Sequence, residues 1–338
     1  MVLHCSEVKK SSTLVDPAPL DPARLSAEKP GMRRSIILSE PYAGLQSQAV
    51  GLAEAAGLAP ALVPLHPRAP WRWMSARIWP SPLRAVRLAD PGDAVVIGAG
   101  GTAAVVSAAL RRSGRPVVQV QHPRIDTGRF DLIVVNRHDG LTGANVVVTR
   151  TALHRATPAR LTEAAAVWTP RLAHLPRPLV AVLVGGSNGR FRLDAPVATA
   201  LGGQLAAMMQ ADRVGLALTP SRRTAEDARA ALHRAVTPGG GWVWDMTGDN
   251  PYFGLLALAD AIVVTEDSVS MVSEAVATSA PVLLAGLPGR SRRIRQFTRH
   301  LLEDGRIRPF TGRLDLWPTS PRDDTQAAAD EMRHRLGF

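Results

Sequence analysis

From residue 35 onward, short apolar runs alternate with longer stretches in which apolar residues recur at helical spacing. The runs are continuously apolar, which is typical of parallel strands covered on both faces. Strands and helices that alternate at this spacing predict a parallel α/β sheet. In the first half, the predicted strands are 35–38, 61–65, 94–97, 117–120, 132–135 and 146–149, and the predicted helices are 46–56 and 102–112.

Four prolines between residues 157 and 178 interrupt this pattern, and we place a domain boundary there. The alternation then restarts, and the last predicted helix stands outside it. The predicted fold class is α/β, with two Rossmann-like parallel-sheet domains facing a cleft where a ligand would bind. The second half has predicted strands at 179–184, 214–218, 242–244, 261–265 and 281–285, and predicted helices at 194–210, 224–236, 252–258, 268–278, 291–303 and 324–336.

The predicted domains are a disordered leader at 1–30, an N-terminal α/β domain at 31–160, a C-terminal α/β domain at 175–318 and a terminal helix at 319–338. The leader is polar, has no periodicity and lacks the apolar stretch of a secretory signal. No run reaches the ~20 apolar residues that a membrane helix needs. The single cysteine, Cys5, fits a reducing compartment. We therefore expect a cytoplasmic protein, with peripheral attachment to the inner face of the membrane as an option.

The chain of 338 residues carries a formal net charge of +11, and all but three of its 40 basic residues are arginine. The excess is concentrated at 68–87 and 290–299. Such a field attracts phosphates, nucleic acid or an acidic membrane face. Of these three binding partners, nucleic acid is the least favoured, because the sequence has no helix-turn-helix, zinc or RNA-binding signature.

Two segments follow predicted strands and suit a phosphate-bearing ligand. Glycines after the strand 179–184 let backbone N–H groups approach an anion, although an ordinary tight turn is the alternative. The second segment places hydroxyls at a helix start and a carboxylate one to two turns later, which suits a diphosphate and a sugar; a capped helix with a solvated Glu274 is the alternative. The candidate binding residues are Gly185, Gly186, Ser187, Thr265, Asp267, Ser268, Ser270, Met271 and Glu274.

Arginine-rich segments supply further candidates. Arg290 and Arg292 follow a predicted strand and suit a phosphate or an anionic lipid surface, against the alternative of a solvated basic face. Trp71, Arg72 and Trp73 lie in a stretch without acidic residues. They would either sit at a membrane interface, stack on bases, or pack on the domain.

The candidates for a general base follow strands of the first half. His122 and Asp126 are the preferred pair because of their position at a strand's carboxyl end. The segment 136–139, with His138, and Glu40 are further possibilities. The nine histidines are too scattered for a zinc site, so we expect no metal.

These residues resemble two known groups of proteins. Through the loop 185–187 and the segment 259–284, the second half resembles the donor domain of GT-B glycosyltransferases that act on lipid-linked or cell-envelope acceptors. More closely, residues 35–336 resemble the bacterial branch of the mitochondrial-fission family named for an elongated-mitochondria phenotype. That resemblance is carried by residues 70–73, 121–124, 248–252 and 265–275.

The resemblance implies a GT-B-like fold whose last helix crosses back to the first domain. It favours a metal-independent glycosyltransferase that uses a UDP-sugar type of donor and has no covalently bound cofactor, with Glu274 on the ribose and the diphosphate at 185–187 and at the Ser268 helix start. A lipid or envelope glycan would be the acceptor. The implied acceptor-side or membrane-side residues are Gln48, Trp71, Arg72 and Trp73.

The resemblance also carries a non-catalytic alternative. Eukaryotic members of the fission family are associated with recruiting a dynamin-type protein to the mitochondrial surface, which implies an adaptor at an acidic membrane. Related envelope transferases often have a histidine in the loop after the first strand, whereas residues 43–48 contain none. The catalytic base would therefore lie elsewhere, at His122 or Asp126.

Overall fold

The computed structural model describes residues 32–111 and 114–338, so the predicted leader at 1–30 lies outside the described residues. The strands are β1 (Arg34–Ser39), β2 (Ala59–Pro64), β3 (Val95–Ala99), β4 (Val117–Val120), β5 (Leu132–Asn136), β6 (Val146–Thr149), β7 (Leu179–Val184), β8 (Gly215–Pro220), β9 (Trp242–Val243), β10 (Ala261–Thr265), β11 (Val282–Ala285) and β12 (Ile307–Pro309).

The α-helices are α1 (Ala43–Ala55), α2 (Pro82–Ala85), α3 (Gly101–Arg111), α4 (Pro158–Leu172), α5 (Ala195–Asp212), α6 (Glu226–Val236), α7 (Tyr252–Leu258), α8 (Val269–Val276), α9 (Arg292–Glu303) and α10 (Thr325–Leu336). Short 3₁₀ helices lie at Trp71–Trp73, Ala76–Ile78, Thr127–Arg129, Arg137–Asp139 and Thr237–Gly239. No helix within the described ranges is both long enough and apolar enough to cross a membrane.

The strands form two six-stranded sheets in which every pair is parallel. The first has the order β2-β1-β3-β4-β5-β6, and the second β12-β11-β10-β7-β8-β9. The predicted α/β class with two Rossmann-like sheets is therefore confirmed. Each order reverses beside the sheet's first strand, at β1/β3 and at β7/β10. Ligands of open α/β sheets bind at the carboxyl ends of the strands at such switch points.

Strand β7 shows why the apolar runs are continuous. Val180, Val182 and Val184 contribute to a core with α5 and α6, whereas Leu179, Ala181 and Leu183 contribute to a second core with α4, α7 and α8. Both faces of the strand are thus covered, and a polar residue on either face would lose its water. The first sheet is likewise covered on both faces.

Three elements differ from the sequence pattern, and one of them is the four-residue helix α2, which was not predicted. The proline-rich connector contains the helix α4, which begins with Thr157 accepting a hydrogen bond from the Arg160 N–H and has Pro158 in its first turn. Trp168 of α4 is buried in the core of the second sheet. The strand β12 was not predicted, because three residues that include an arginine and a proline do not form an apolar run.

The last helix, α10, packs on the first sheet although it follows the second one in sequence. Ala328, Ala329 and Met332 are buried in the core of the first sheet, where the helix lies against α1 and strands β5 and β6. Arg150 and Asp324 form an ion pair of 2.5 Å that holds the start of this helix. The crossing that the resemblance implied is therefore confirmed.

Helix α5 contains adjacent glycines with opposite surroundings. A Cβ on Gly202 would lie 2.6 Å from the Cβ of Ala235 on α6, whereas one on Gly203 would meet open space. We expect Gly202→Ala to lower the free energy of unfolding by roughly 1–3 kcal/mol through overpacking. Gly203→Ala should raise it by up to about 1 kcal/mol, because alanine favours the helix. Urea denaturation of both variants measures the difference, and equal shifts would contradict this packing.

Candidate functional site

The loop that follows β7 is filled by a side chain of the protein itself. The Gly186 N–H donates to Asp267 Oδ2 at 3.1 Å, and the Gly185 N–H donates to Thr265 Oγ1 at 2.8 Å. The Thr265 hydroxyl donates in turn to Asp267 Oδ1 at 2.6 Å. A Cβ on Gly185 would lie 2.2 Å from the Asp267 oxygens, so the carboxylate fits only against glycine. Two N–H groups that the sequence suggested for a diphosphate are thus already paired.

Arg223, in the loop after β8, completes the pairing of this carboxylate. Its Nη2 donates to Asp267 Oδ2 at 2.7 Å, and its Nη1 donates to the Gly186 carbonyl oxygen at 3.1 Å. The Asp267 side chain is fully buried, whereas 40% of the Arg223 side chain is exposed. Ser221 of the same loop donates to the Gly185 carbonyl oxygen at 2.8 Å. The loops after β7, β8 and β10 therefore form one hydrogen-bonded unit.

A carboxylate occupies the corresponding place in the first sheet. Glu40 follows β1, and its Oε1 accepts a hydrogen bond of 3.3 Å from the Thr102 N–H at the start of α3. A Cβ on Gly100, whose φ is +96°, would lie 2.6 Å from Glu40 Oε2. Each sheet thus places one of its own carboxylates at its switch point.

Glu274 lies where the two sheets meet. It is buried on α8, which begins directly after β10 with the Ser268 hydroxyl accepting from the Met271 N–H at 3.4 Å. Tyr252 of α7 donates its hydroxyl hydrogen to Glu274 Oε2 at 2.5 Å. Ser47 of α1, which belongs to the first sheet, donates to Oε1 at 3.4 Å. Both oxygens of one buried carboxylate therefore accept hydroxyl donors, one from each side of the cleft.

Burial sets the titration of this pair. It raises the pKa of Glu274, although the hydrogen bonds from Tyr252 and Ser47 oppose the shift. Burial also raises the pKa of Tyr252, and the neighbouring Glu274 charge adds to the effect. Perturbed pKa values of this kind are typical of functional sites. A carboxylate lined with hydroxyl donors suits a ligand that offers hydroxyl groups.

Glutamine side chains bridge the same cleft. Gln48 Nε2 donates to Ser270 Oγ at 3.3 Å, and Gln121 Nε2 donates to Gln48 Oε1 at 3.3 Å. A Cβ on Gly44 would lie 3.0 Å from Ser270 Oγ, so the starts of α1 and α8 lie against each other. The structure thus brings Gln48, Ser270 and Glu274 together.

Helix α9 makes a second contact between the sheets. Arg293 Nε donates to His138 Nε2 at 2.8 Å and lies 3.4 Å from Asp139 Oδ1. The buried imidazole also packs edge-on against Phe297, with ring centroids 5.6 Å apart. Burial, and then the charge of Arg293, lowers the pKa of His138 to about 4. His138 is therefore a neutral acceptor between the sheets.

Other predicted anion ligands lie at the rim of the second sheet. Arg290 and Arg292 are exposed, and the Arg290 N–H donates to the Arg190 carbonyl oxygen at 3.0 Å, which ties the loop after β11 to the loop after β7. Ser187 is exposed as well, and its hydroxyl accepts from the Leu193 N–H at 2.8 Å.

The predicted base candidates His122 and Asp126 make local hydrogen bonds in the loop after β4. His122 Nδ1 accepts from the Arg124 N–H at 3.0 Å, and Asp126 accepts from the Gly128 N–H at 3.1 Å. The hydrogen bond that joins this loop to Gln48 comes from Gln121. The base assignment to His122 and Asp126 stays a prediction.

The aromatic and basic segment of the first sheet is partly packed and partly exposed. Trp71 is half-buried and packs edge-on against Trp79 at 6.3 Å between ring centroids. Trp73 is 70% exposed, and the guanidinium of Arg72 lies 4.7 Å from its ring centroid. Ile78 is 65% exposed. The segment therefore presents apolar and cationic groups together on the surface.

Sequence reasoning assigned no role to Ser47, Tyr252 or Arg223. Tyr252 is the last residue of the motif 248–252. Arg223 follows a strand, and a basic residue at the carboxyl edge of a sheet is a signal that could have marked Arg223 as a candidate. Nothing in the pattern marks Ser47. Within residues 32–111 and 114–338, no group of three or more His, Cys, Asp or Glu side chains is placed to hold a metal ion.

Sequence comparison finds relatives across most of the chain. The family described as mitochondrial fission ELM1 matches residues 43–336. The mitochondrial fission protein ELM1 of Arabidopsis thaliana is 34% identical over 275 residues, a match that covers 72% of this chain and 64% of the plant protein. The chain thus spans less than two thirds of the length of that relative.

Solved structures share the arrangement of the two sheets. The UDP-GlcNAc 2-epimerase from Methanocaldococcus jannaschii has a TM-score of 0.53 at 12% identity and covers 91% of this chain and 100% of its own. The UDP-GlcNAc 2-epimerase from Neisseria meningitidis bound to UDP-GlcNAc has a TM-score of 0.51 at 10% identity and covers 90% and 99%. At these identities the likeness shows the fold, a GT-B-like pair of Rossmann-like domains.

The contact between His138 and Arg293 predicts a pH dependence. Because the pKa of His138 is about 4 in the folded chain and 6.5 in the unfolded one, the unfolded chain binds the proton first as pH falls. The free energy of unfolding should decrease between pH 6.5 and 4, by as much as about 3 kcal/mol. His138→Asn should remove this part of the decrease, and the exposed His233 of α6, changed to Asn, is the control. Denaturation curves across this pH range measure it, and identical slopes in all three proteins would contradict the assignment.

Proposed function

The chain belongs to the mitochondrial fission ELM1 family, and we propose that it binds a nucleotide-diphosphate sugar of the UDP-sugar type in the cleft between its sheets. In this proposal it is a GT-B-type glycosyltransferase-like protein that transfers the sugar to a lipid or envelope-glycan acceptor. The observation that carries the proposal is the buried Glu274, shared by hydroxyl donors from both sides of the cleft. That the Neisseria meningitidis protein of this fold binds UDP-GlcNAc supports the choice of ligand class.

A ribose would bind Glu274 by replacing one of its present donors. The Ser47 hydrogen bond, at 3.4 Å, is near the outer limit for an O–H donor and is the weaker of the two. A 2′- or 3′-hydroxyl could take the place of Ser47 with a shorter bond, while Tyr252 keeps the second oxygen paired. Both hydroxyl donors satisfy a carboxylate that would otherwise be costly to bury.

The transfer step needs a base for the acceptor hydroxyl and stabilisation for the leaving diphosphate. In the proposal, the N-terminus of α8 and nearby arginines stabilise the leaving group. His122 and Asp126 keep their place as proposed bases, and Glu40 is a further candidate, since it lies at the first sheet's switch point.

Calorimetric titration tests the donor site. Wild-type protein should bind UDP, and Glu274→Ala should weaken that binding by roughly 10–100-fold, the loss of one or two hydrogen bonds to a charged group. The exposed Glu163 of α4, changed to Ala, should bind UDP as wild type does. If wild type binds neither UDP nor any nucleotide sugar, or if Glu274→Ala binds them unchanged, the donor site is refuted.

The acceptor side is proposed to meet an acidic membrane surface peripherally, on the cytoplasmic face. Exposed Trp73 and Ile78 would enter the headgroup region, and Arg72 and Arg77 would pair with lipid phosphates. The absence of any acidic residue from 55 to 89 favours this orientation.

Flotation with phosphatidylglycerol vesicles tests this surface. The variant with Arg72→Ala and Arg77→Ala should lose most vesicle binding, because each basic residue near an anionic surface contributes about 1 kcal/mol. A control with Arg222→Ala and Arg234→Ala, two exposed arginines of the second sheet, should bind as wild type. Equal flotation of both variants, or equal binding to neutral vesicles, would speak against the proposal.

A non-catalytic adaptor of the fission family on a membrane surface is the second candidate. It is favoured by one specific observation, that the Gly186 N–H is already paired with Asp267 and the Gly185 N–H with the Thr265 hydroxyl. An adaptor would bind vesicles without binding UDP, so the calorimetric titration and the vesicle flotation together distinguish the candidates.

A further inference from the structure

We propose that Arg223 binds the diphosphate of the ligand and that Asp267 is the positioning residue that holds its guanidinium in place. This assignment rests on the proposed nucleotide-diphosphate site and adds a specific phosphate ligand to it. Arg223 lies outside the segments at 185–187, 265–274 and 290–292 that the sequence pattern indicated.

The glycine loop after β7 cannot serve as an open anion nest. The Gly185 N–H is paired with Thr265 and the Gly186 N–H with the Asp267 carboxylate. A phosphate at that spot would have to displace a buried negative charge that also accepts from the Thr265 hydroxyl and the Arg223 guanidinium. The diphosphate must therefore bind above this loop and not within it.

The guanidinium of Arg223 lies across the carboxyl end of β7. Its backbone follows β8, and its Nη atoms reach the Gly186 carbonyl oxygen after β7 and the Asp267 carboxylate after β10. Since the strand order is β10-β7-β8, the side chain spans the carboxyl end of β7, at the sheet's switch point. A ligand at the switch point would meet this guanidinium.

Arg223 has guanidinium N–H donors that make no hydrogen bond to Asp267 or Gly186. A guanidinium carries five N–H donors, and two of those of Arg223 are used by Asp267 and Gly186. The Arg223 side chain is 40% exposed, so a ligand can reach it from solvent. A guanidinium fixed in one orientation loses little freedom on binding and suits the oxygens of a phosphate.

The distance from the start of α8 to Glu274, the proposed ribose site, suits a nucleoside diphosphate. Asp267 immediately precedes Ser268, the residue at which α8 starts, and Glu274 follows six residues later. At 1.5 Å per residue, Glu274 lies about 9 Å along the helix from this start. A nucleoside diphosphate that has its ribose at Glu274 can place its phosphates at the α8 N-terminus beside Arg223, where the helix dipole also favours negative charge.

Calorimetry of the full chain with UDP and with uridine tests the assignment, because uridine has the ribose and lacks the phosphates. In Arg223→Ala the Kd for UDP should rise by roughly 10–100-fold, and the Kd for uridine should stay within about twofold. Arg222→Ala is the matched control, since Arg222 is the adjacent exposed arginine of the same loop, and it should bind both ligands as wild type does.

Removing Arg223 alone leaves Asp267 buried with one partner fewer, which could unfold the protein. The double variant Arg223→Ala with Asp267→Asn removes the buried charge as well, and thermal unfolding checks that it is folded. It should retain uridine binding and lose UDP binding.

The outcomes separate this inference from the function on which it rests. If wild type binds neither probe, both are refuted. If wild type binds UDP and the folded variants bind UDP equally well, only the Arg223 assignment fails. If the folded double variant loses affinity for UDP and for uridine equally, Arg223 maintains the shape of the cleft and is not a phosphate ligand.

Discussion

The loops at the carboxyl edge of the second sheet are held together by one buried carboxylate. Asp267 is fully buried at the carboxyl end of β10 and accepts hydrogen bonds from the Gly186 N–H, the Thr265 hydroxyl and Arg223. Without these partners, a buried charge would cost several kcal/mol. The chain meets that requirement by bringing three loops together over the switch point, and so it fixes the floor of the candidate site before any ligand binds.

The contacts between the sheets are of a different kind. At Glu274 and Ser270 they are hydrogen bonds of 3.3 to 3.4 Å from Ser47 and Gln48, and such bonds contribute little net free energy when water can replace them. A cleft held this way can exchange its own hydroxyl for one of a ligand. Two other contacts keep the two sheets together during such an exchange. They are the buried contact of His138 with Arg293 and Phe297, and the packing of α10 on the first sheet.

These two features explain why the same fold supports two candidate functions. The chain has a GT-B-like arrangement of two sheets and belongs to the ELM1 family. The hydroxyl-lined Glu274 favours a nucleotide sugar, and the filled glycine loop favours a protein without that ligand. The proposed role of Arg223 is compatible with both features, because its 40% exposed side chain lies beside the filled loop and would offer N–H donors to a diphosphate outside that loop.

The sequence by itself determined eleven of the twelve strands in the described residues, and β12 was the exception. The runs at 117–120, 179–184 and 261–265 have the bounds of β4, β7 and β10, because a strand covered on both faces must be apolar throughout. The run at 146–149 also has the bounds of its strand, although β6 lies at the edge of the sheet and is partly exposed. The same pattern placed Glu274 on a helix directly after β10, and the fission-family resemblance implied the crossing of α10. Helix α4 was not predicted, because the prolines in its first and last turns indicated a domain boundary without regular structure.

The partners of the site residues were decided only by the tertiary structure. Ser47 and Glu274 are 227 residues apart, His138 and Arg293 are 155, and Arg223 and Asp267 are 44. Hydrophobic periodicity shows which face of an element is buried and carries no information on which polar groups meet across a cleft. The glycines after β7 are an example of polar groups whose partner the sequence does not identify. Their sequence suits an external phosphate and an internal carboxylate equally well, and only the position of Asp267 distinguishes the two.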